Sequence, residues 1–444
     1  MKTESRLLLI GMILLWGCSL LAQAPQRHFP AAEWTHDKCN TISGISSFVI
    51  DSMNTTGLLV VHAGKLVFSY GDVSEQSYIA SCRKSILAML YGNYVANGSI
   101  DLDASMASLG IDDRQGLSEV ERQATVAHLL SSCSGVYHPS SYPGDDLAFA
   151  PARGSQSPGS YFLYNNWDFN AAGAIFEQQT GVDLYDALEK DLAVPLGLQD
   201  FDRQLQKKTG NLSVSQYPAF PIHLSTRDMA RIGYLMLNKG KWNDQQLIPE
   251  WWVEKITSLV TPNAALNPAE RRASEFGYGH LWWVYDQENL REELEGAYAA
   301  QGIYGQYITV IPKLDLVIAH KTNALFQRHT HNYERLVHLI IDQSQALVHA
   351  SVSLPTEGWK AYVGTYSNDQ LTMEVSLEAG QLYMDSPLGK LTLLACDKAH
   401  FSLEEEDRFR LRFHFGDGGE VESFELSPDS MKMGVFEKRR PAAE

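Results

Sequence analysis

The stretch Ser77-Tyr78-Ile79-Ala80-Ser81-Cys82-Arg83-Lys84-Ser85-Ile86-Leu87-Ala88-Met89-Leu90 decides how this chain is read. A polar, turn-prone lead gives way to an apolar run with helical periodicity, which predicts a helix opening near Ser81. On that helix Lys84 lies one turn beyond Ser81 on the same face, while Cys82 and Arg83 point elsewhere. A serine at a helix N-terminus sits where the dipole favours developing negative charge. A desolvated lysine loses pKa and can take the serine's proton. These residues equally fit a capping serine followed by a surface lysine, because S-x-x-K arises by chance in many chains. The remainder of the sequence has to decide.

Working outward, residues 56–62 and 65–70 read as a strand pair around the turn Ala63-Gly64. Gly98 is a candidate C-cap for the Ser81 helix. From about 104 to 260 the pattern is mainly helical with long loops. A short helix starts at Val126, and 166–180 reads as an amphipathic helix stopped by Gly181. A further helix spans 226–236, with Thr226 as its cap. Strands return at 277–284, 307–312 and 314–319, and a helix over 333–348 ends this unit. Strands at both ends with helices between predict an α+β layout built on one sheet. After Val352-Ser353-Leu354-Pro355 the texture changes to short apolar–polar alternation over 359–440, which predicts a small all-β barrel or sandwich.

The 444 residues allow two or three domains, and 44% hydrophobic residues supply ample core. A net charge of −17 argues against nucleic acid and against adsorption to anionic membranes. Lys2 and Arg6, the apolar run 7–15 and Ala22-Gln23-Ala24 read as a signal peptide over 1–24, so the chain is expected to be periplasmic or extracellular. A second reading takes Leu15-Trp16-Gly17-Cys18 as a lipobox, with a lipid anchor at Cys18. No other segment is apolar enough to span a membrane. Cys39, Cys82, Cys133 and Cys396 are expected as small buried thiols, with a Cys82–Cys133 pair as the alternative.

A Ser-His-Asp system would want G-x-S-x-G, and a helical zinc site would want H-E-x-x-H; the sequence has neither. His329-x-His331 lacks accompanying carboxylates or cysteines and reads as surface histidines, so no metal or other cofactor is expected. The segment Tyr161-Phe162-Leu163-Tyr164-Asn165-Asn166-Trp167 is the candidate partner. Tyr164 and Asn166 place a phenol and an amide together, and a phenol beside a lysine is expected to lose pKa and relay a proton. The alternative is a buried aromatic with a helix-capping asparagine.

Taken together, Ser81-x-x-Lys84, Tyr164-x-Asn166, the phrase Leu129-Leu130-Ser131-Ser132-Cys133-Ser134-Gly135-Val136 and Pro158-Gly159-x-x-Phe162 resemble the serine β-lactamase and penicillin-binding-protein superfamily. The likeness is to its branch of class C β-lactamases, S12 D-alanyl-D-alanine peptidases, carboxylesterases and 6-aminohexanoate-dimer hydrolases, and it covers about 44–348. It implies an antiparallel sheet flanked by helices plus an all-helical region. The expected organisation is a hydrolase domain over 25–350, a linker over 351–358 and an all-β domain over 359–444. The last is similar to lipocalin-like domains through Trp359 and Tyr362-Val363-Gly364-Thr365-Tyr366.

The resemblance implies that Ser81 is the nucleophile, that Lys84 and Tyr164 move its proton, and that Asn166 orients Lys84 or the substrate amide. The backbone N–H groups of Ser81 and Ile303 would form the oxyanion hole. The family's third motif, K-T-G or H-x-G, departs here to Ala300-Gln301-Gly302. Lys321-Thr322-Asn323 imitates K-T-G but follows the strand pair and is rejected. Without the cation, a neutral amide or ester is the expected small-molecule substrate, and Gln301 is a candidate contact for it. Arg153, Arg271 or Arg272 remain candidates to supply the missing charge from a loop. A β-lactamase or D-alanyl-D-alanine carboxypeptidase, and a non-catalytic penicillin-binding sensor or scaffold, stay open.

Overall fold

The computed structural model describes residues 27–39, 42, 44–323, 331–345, 347, 356–387, 389–396, 398–404, 409–428 and 434–439. The signal segment, Cys18, the pair His329 and His331, and most of the 351–358 linker lie outside what it describes in side-chain detail. Strands β1 (Thr55–His62) and β2 (Lys65–Gly71) form the expected hairpin. Ala63 and Gly64 both take positive φ, the turn whose twist matches the strands.

The late strands are β3 (Phe276–Tyr278), β4 (Trp283–Tyr285), β5 (Tyr298–Gly302), β6 (Gln306–Ile311) and β7 (Leu316–Thr322). With the hairpin they make one sheet in the order β2-β1-β7-β6-β5-β4-β3. Every neighbouring pair is antiparallel. The α+β layout therefore closes through β1 and β7, where Leu58 faces His320 and Val60 faces Ile318. The single strand expected over 277–284 is instead two strands. Leu281 takes positive φ, and the Gly279 N–H donates to the Trp282 carbonyl at 2.8 Å, so the chain turns there.

Four long helices accompany the sheet: α1 (Cys82–Ala96), α2 (Asn166–Thr180), α3 (Thr226–Leu237) and α4 (His331–Ser344). Alternation along β6 separates its two faces. A Cβ added at Gly233 of α3 would come within 2.8 Å of Ile308, so α3 lies close on that side. On the other side Tyr307 stacks on Tyr333 of α4 at 3.7 Å, and Thr309 hydrogen-bonds the Tyr333 hydroxyl at 2.8 Å. The cap of α3 is Ser225, which accepts from the Asp228 N–H, and not Thr226. Nor is α2 a two-faced surface helix: from Asn166 to Gly173 it is buried all round. The same holds for α1 from Cys82 to Gly92, the pattern of a helix running through a core.

Strands Gly364–Ser367, Thr372–Glu378, Gln381–Ser386, Gly389–Ala395, His400–Leu403, Phe409–Phe415, Val421–Pro428 and Gly434–Lys438 form a closed barrel. Its interior is packed with Tyr366, Phe401, Phe413, Phe424 and Phe436. Closure leaves no sheet edge to protect. The cysteines correct the expectation in one respect. Cys39 and Cys396 form a disulfide that ties the N-terminal segment to the barrel, whereas Cys82 and Cys133 are free and buried and do not pair. Residues 357 positions apart carry no local signal that they meet.

Candidate active site

The Ser81 turn is set by its backbone. Ile79 hydrogen-bonds Ile222, Ala80 takes a positive φ of 50°, and α1 begins directly after Ser81. The N–H groups of Cys82 and Lys84 donate to the Ile79 and Ser81 carbonyls at 3.2 and 3.0 Å. Ser81 occupies the N-cap position, yet its side chain makes no capping bond. Its hydroxyl is thus available to other partners. The helix is anchored by its own Ser85, which donates to the Leu281 carbonyl at 2.6 Å, and by Trp252, which donates to the Ala88 carbonyl at 2.8 Å.

Lys84 is the centre of the site. Its Nζ lies 3.0 Å from Ser81 Oγ and 2.6 Å from Tyr164 Oη. The residue is 2% exposed. Burial is the main force holding the Lys84 pKa well below its usual value, and the Arg83 and Arg271 charges push the same way against Asp145 and Asp146. Tyr164 reverses the expectation. Burial among Phe169, Tyr278 and Trp283 raises its pKa to about 12, outweighing the Ser81 hydrogen bond and the Arg271 and Arg83 charges. The site therefore holds a phenol, not a phenolate, beside a lysine driven towards its neutral amine.

Helix α2 delivers the second segment. Asn165 caps it by accepting from the Trp167 N–H at 3.0 Å, so Asn166 falls inside the first turn. The Asn166 Nδ2 donates to the Tyr142 and Pro143 carbonyls at 3.3 Å each rather than reaching Lys84, and its buried Oδ1 has no partner among the described residues. The preceding loop grips this corner: Asp145 accepts from the Asn166 N–H, and the Asp146 N–H donates to the Tyr164 carbonyl at 2.9 Å.

Strand β5 supplies the third side. A Cβ at Gly302 would meet the Ile79 carbonyl at 2.6 Å, so glycine is what lets the strand lie against the Ser81 turn. Ala300 and Gly302 share one face of the strand, with Ala300 fully buried, and Gln301 lies on the other. Ile303 is 55% exposed and begins the turn into β6, where Tyr304 and Gly305 take positive φ. Thr322 bonds the Tyr304 carbonyl and His320 Nδ1 bonds that of Gly305 at 2.8 Å, fixing the turn from below. Lys321 is not at the site. Its Nζ donates to the Glu75 and Leu224 carbonyls at 2.7 and 2.8 Å.

Of the three candidate arginines, Arg271 alone reaches the site. Its guanidinium lies 4.9 Å from the Tyr164 ring centre and 5.5 Å from that of Trp283, while Nε binds Asp146. Arg153 is taken by Glu121 and the Gly116 carbonyl, and Arg272 by Leu266 and Asn267. The link from Asp146 to Arg271 spans 125 residues and had no signal in the sequence.

Sheet, helices and buried lysine together define a class, the scaffold of the serine β-lactamases and penicillin-binding proteins. The chain belongs to the β-lactamase family, whose profile matches residues 47–340. An uncharacterised protein of Alkalihalophilus pseudofirmus is 28% identical over 279 residues, 58% of this chain and 76% of that one. The 6-aminohexanoate-dimer hydrolase of Paenarthrobacter ureafaciens is 26% identical over 182 residues, 40% of this chain and 43% of that enzyme. Among solved structures, the octameric penicillin-binding protein homologue from Pyrococcus abyssi superposes with a TM-score of 0.50 at 16% identity, covering 89% of this chain and 99% of that one. At that identity the likeness speaks for the fold alone.

Proposed function

We propose that this chain is an exported serine hydrolase that cleaves a small amide or ester through an acyl-enzyme on Ser81. The observation that carries it is the buried Lys84 amine placed between Ser81 Oγ and Tyr164 Oη at 3.0 and 2.6 Å. Lys84, with its pKa held low, accepts the Ser81 proton as Oγ attacks the carbonyl carbon. The Ser81 and Ile303 N–H groups receive the oxyanion. The proton passes from Lys84 through the Tyr164 hydroxyl to the departing nitrogen or oxygen. Water then attacks the ester carbonyl on Ser81, giving its proton to Lys84; as the C–Oγ bond breaks, Lys84 returns that proton to Oγ and the acid leaves. No cofactor takes part in this scheme. Export rests on the signal-like residues 1–24, with lipidation of Cys18 as the variant, and the Cys39–Cys396 disulfide fits an oxidising compartment.

An active-site phosphonate tests the assignment. It should label Ser81, and Ser81→Ala should abolish labelling and turnover; labelling that survives the substitution sinks it. A second reading, hydrolysis of β-lactams or D-alanyl-D-alanine ends, is favoured by Arg271, whose guanidinium stands 4.9 Å from the Tyr164 ring centre and offers a charge-assisted partner for a carboxylate. Comparing a short-chain nitrophenyl ester with a chromogenic cephalosporin separates the two. Labelling without turnover of either would mark a sensor.

A further inference from the structure

Arg83 precedes Lys84 on α1, and the reaction proposed above makes no use of it. It is 2% exposed. Its Nη2 donates to Asn170 Oδ1 of α2 at 3.1 Å, and its guanidinium carbon lies 4.1 Å from the centre of the Phe220 ring. Nη1 has no hydrogen-bond partner among the described residues, and neither has Asn170 Nδ2, on a residue 1% exposed. The groups that favour its charge are the phenols of Tyr78, which also hydrogen-bonds the guanidinium, Tyr164 and Tyr185. Burial raises the pKa of all three, so they stay neutral. Among the described residues no ion pair reaches Arg83. Burial lowers its pKa too, but a guanidinium starts so high that it keeps its proton. The core therefore encloses a cation with no counter-charge, and two donors, Arg83 Nη1 and Asn170 Nδ2, one on each helix, with no hydrogen-bond partner among the described residues.

Either fact alone would be costly in a folded core. A water molecule would accept from the donors and leave the charge unbalanced. A small anion answers both. We propose that Arg83 and Asn170 form a binding site for an inorganic monoanion of chloride size between α1 and α2. Arg83 Nη1–H and Asn170 Nδ2–H are its donors, and the Tyr78 phenol closes one side. The Arg83 charge is second only to burial in depressing Lys84. An anion there partly cancels that field, so it raises the Lys84 pKa and moves the acid limb of the rate profile to higher pH.

The test uses the full chain. Thermal unfolding is followed in sodium chloride and in sodium gluconate at equal ionic strength. The wild type should melt about 2–4 °C higher in chloride. A crystal soaked in bromide should give an anomalous peak between Arg83 and Asn170. Asn170→Asp sets a carboxylate beside Arg83 and should remove the chloride response while keeping the fold, so the site is decided even if Arg83→Gln fails to fold. Equal melting of the wild type in both salts, a full chloride response in Asn170→Asp, or bromide found only elsewhere would each overturn the proposal.

Discussion

Replacing Gly302 by alanine isolates the contact between β5 and the Ser81 turn. The new Cβ would stand 2.6 Å from the Ile79 carbonyl oxygen, 2.9 Å from Gln306 Cβ and 3.1 Å from Ala80 Cβ. None of these is the loose end of a side chain. The Ile79 carbonyl already accepts the Cys82 N–H at the start of α1. The Gly302 φ lies outside the region reserved for glycine, so strain does not enter and only space decides. Reaching ordinary contact at 3.4 Å requires strand and turn to part by about 0.8 Å. Overpacking of this kind costs about 1–3 kcal/mol, and a displacement near 1 Å at a reacting centre costs about 10²-fold in rate. Gly302→Ala should therefore lower kcat/KM for a nitrophenyl ester by about 10²-fold, with a Tm loss of about 2–10 °C. Titration with the phosphonate corrects for the folded fraction. Gly358→Ala, where an added Cβ meets nothing within 4 Å, is the control and should change neither quantity. Activity of Gly302→Ala within about 3-fold of wild type, at normal Tm, would refute the geometric argument, since a single unit of overpacking is expected to exceed that.

Lys84→Ala and Tyr164→Phe should each cost at least ~10²-fold in kcat, and the double mutant should be little worse than the worse single; losses that multiply would show that the two are not one relay. If the neutral Lys84 amine is the base, as proposed, its lowered pKa means that log kcat/KM should rise with pH through that value and then level; a rate that falls across this range contradicts the assignment. The same shift has a stability counterpart. Between the lowered folded pKa and the ordinary 10.5, the unfolded chain binds more protons, so wild-type stability should increase with pH there and Lys84→Met should lose that slope in denaturant titrations. Ala300→Lys should narrow the gap between cephalosporin and neutral ester by up to about 10- to 150-fold, the worth of one charge-assisted bond; an unchanged ratio in a folded variant would assign carboxylate binding elsewhere, with Arg271 first in line. In denatured, unreduced protein, Cys82 and Cys133 should react with a thiol reagent and Cys39 and Cys396 only after reduction.

What the amino-acid sequence determined by itself is local. Helical period places Ser81 and Lys84 one turn apart, Gly181 stops α2, and Ala63-Gly64 turns the first hairpin, each within a handful of neighbours. Family likeness extended that to the sheet and the closing barrel. The tertiary structure decided what depends on burial and on segments far apart in the chain. The Tyr164 pKa rises where proximity to Lys84 alone predicted a fall, because burial against three aromatic rings outweighs the nearby charges. Asn166 turns to the Tyr142 and Pro143 carbonyls, Arg271 is selected over Arg153 and Arg272 by Asp146, and Cys39 finds Cys396. Arg83, one position from the central lysine, shows the divide most sharply. Its register on α1 follows from the helix, but its lack of a counter-charge follows from what α2 and Phe220 bring against it. Periodicity and capping act over a few residues of chain, whereas desolvation and ion pairing are set by whichever groups the folded core places alongside.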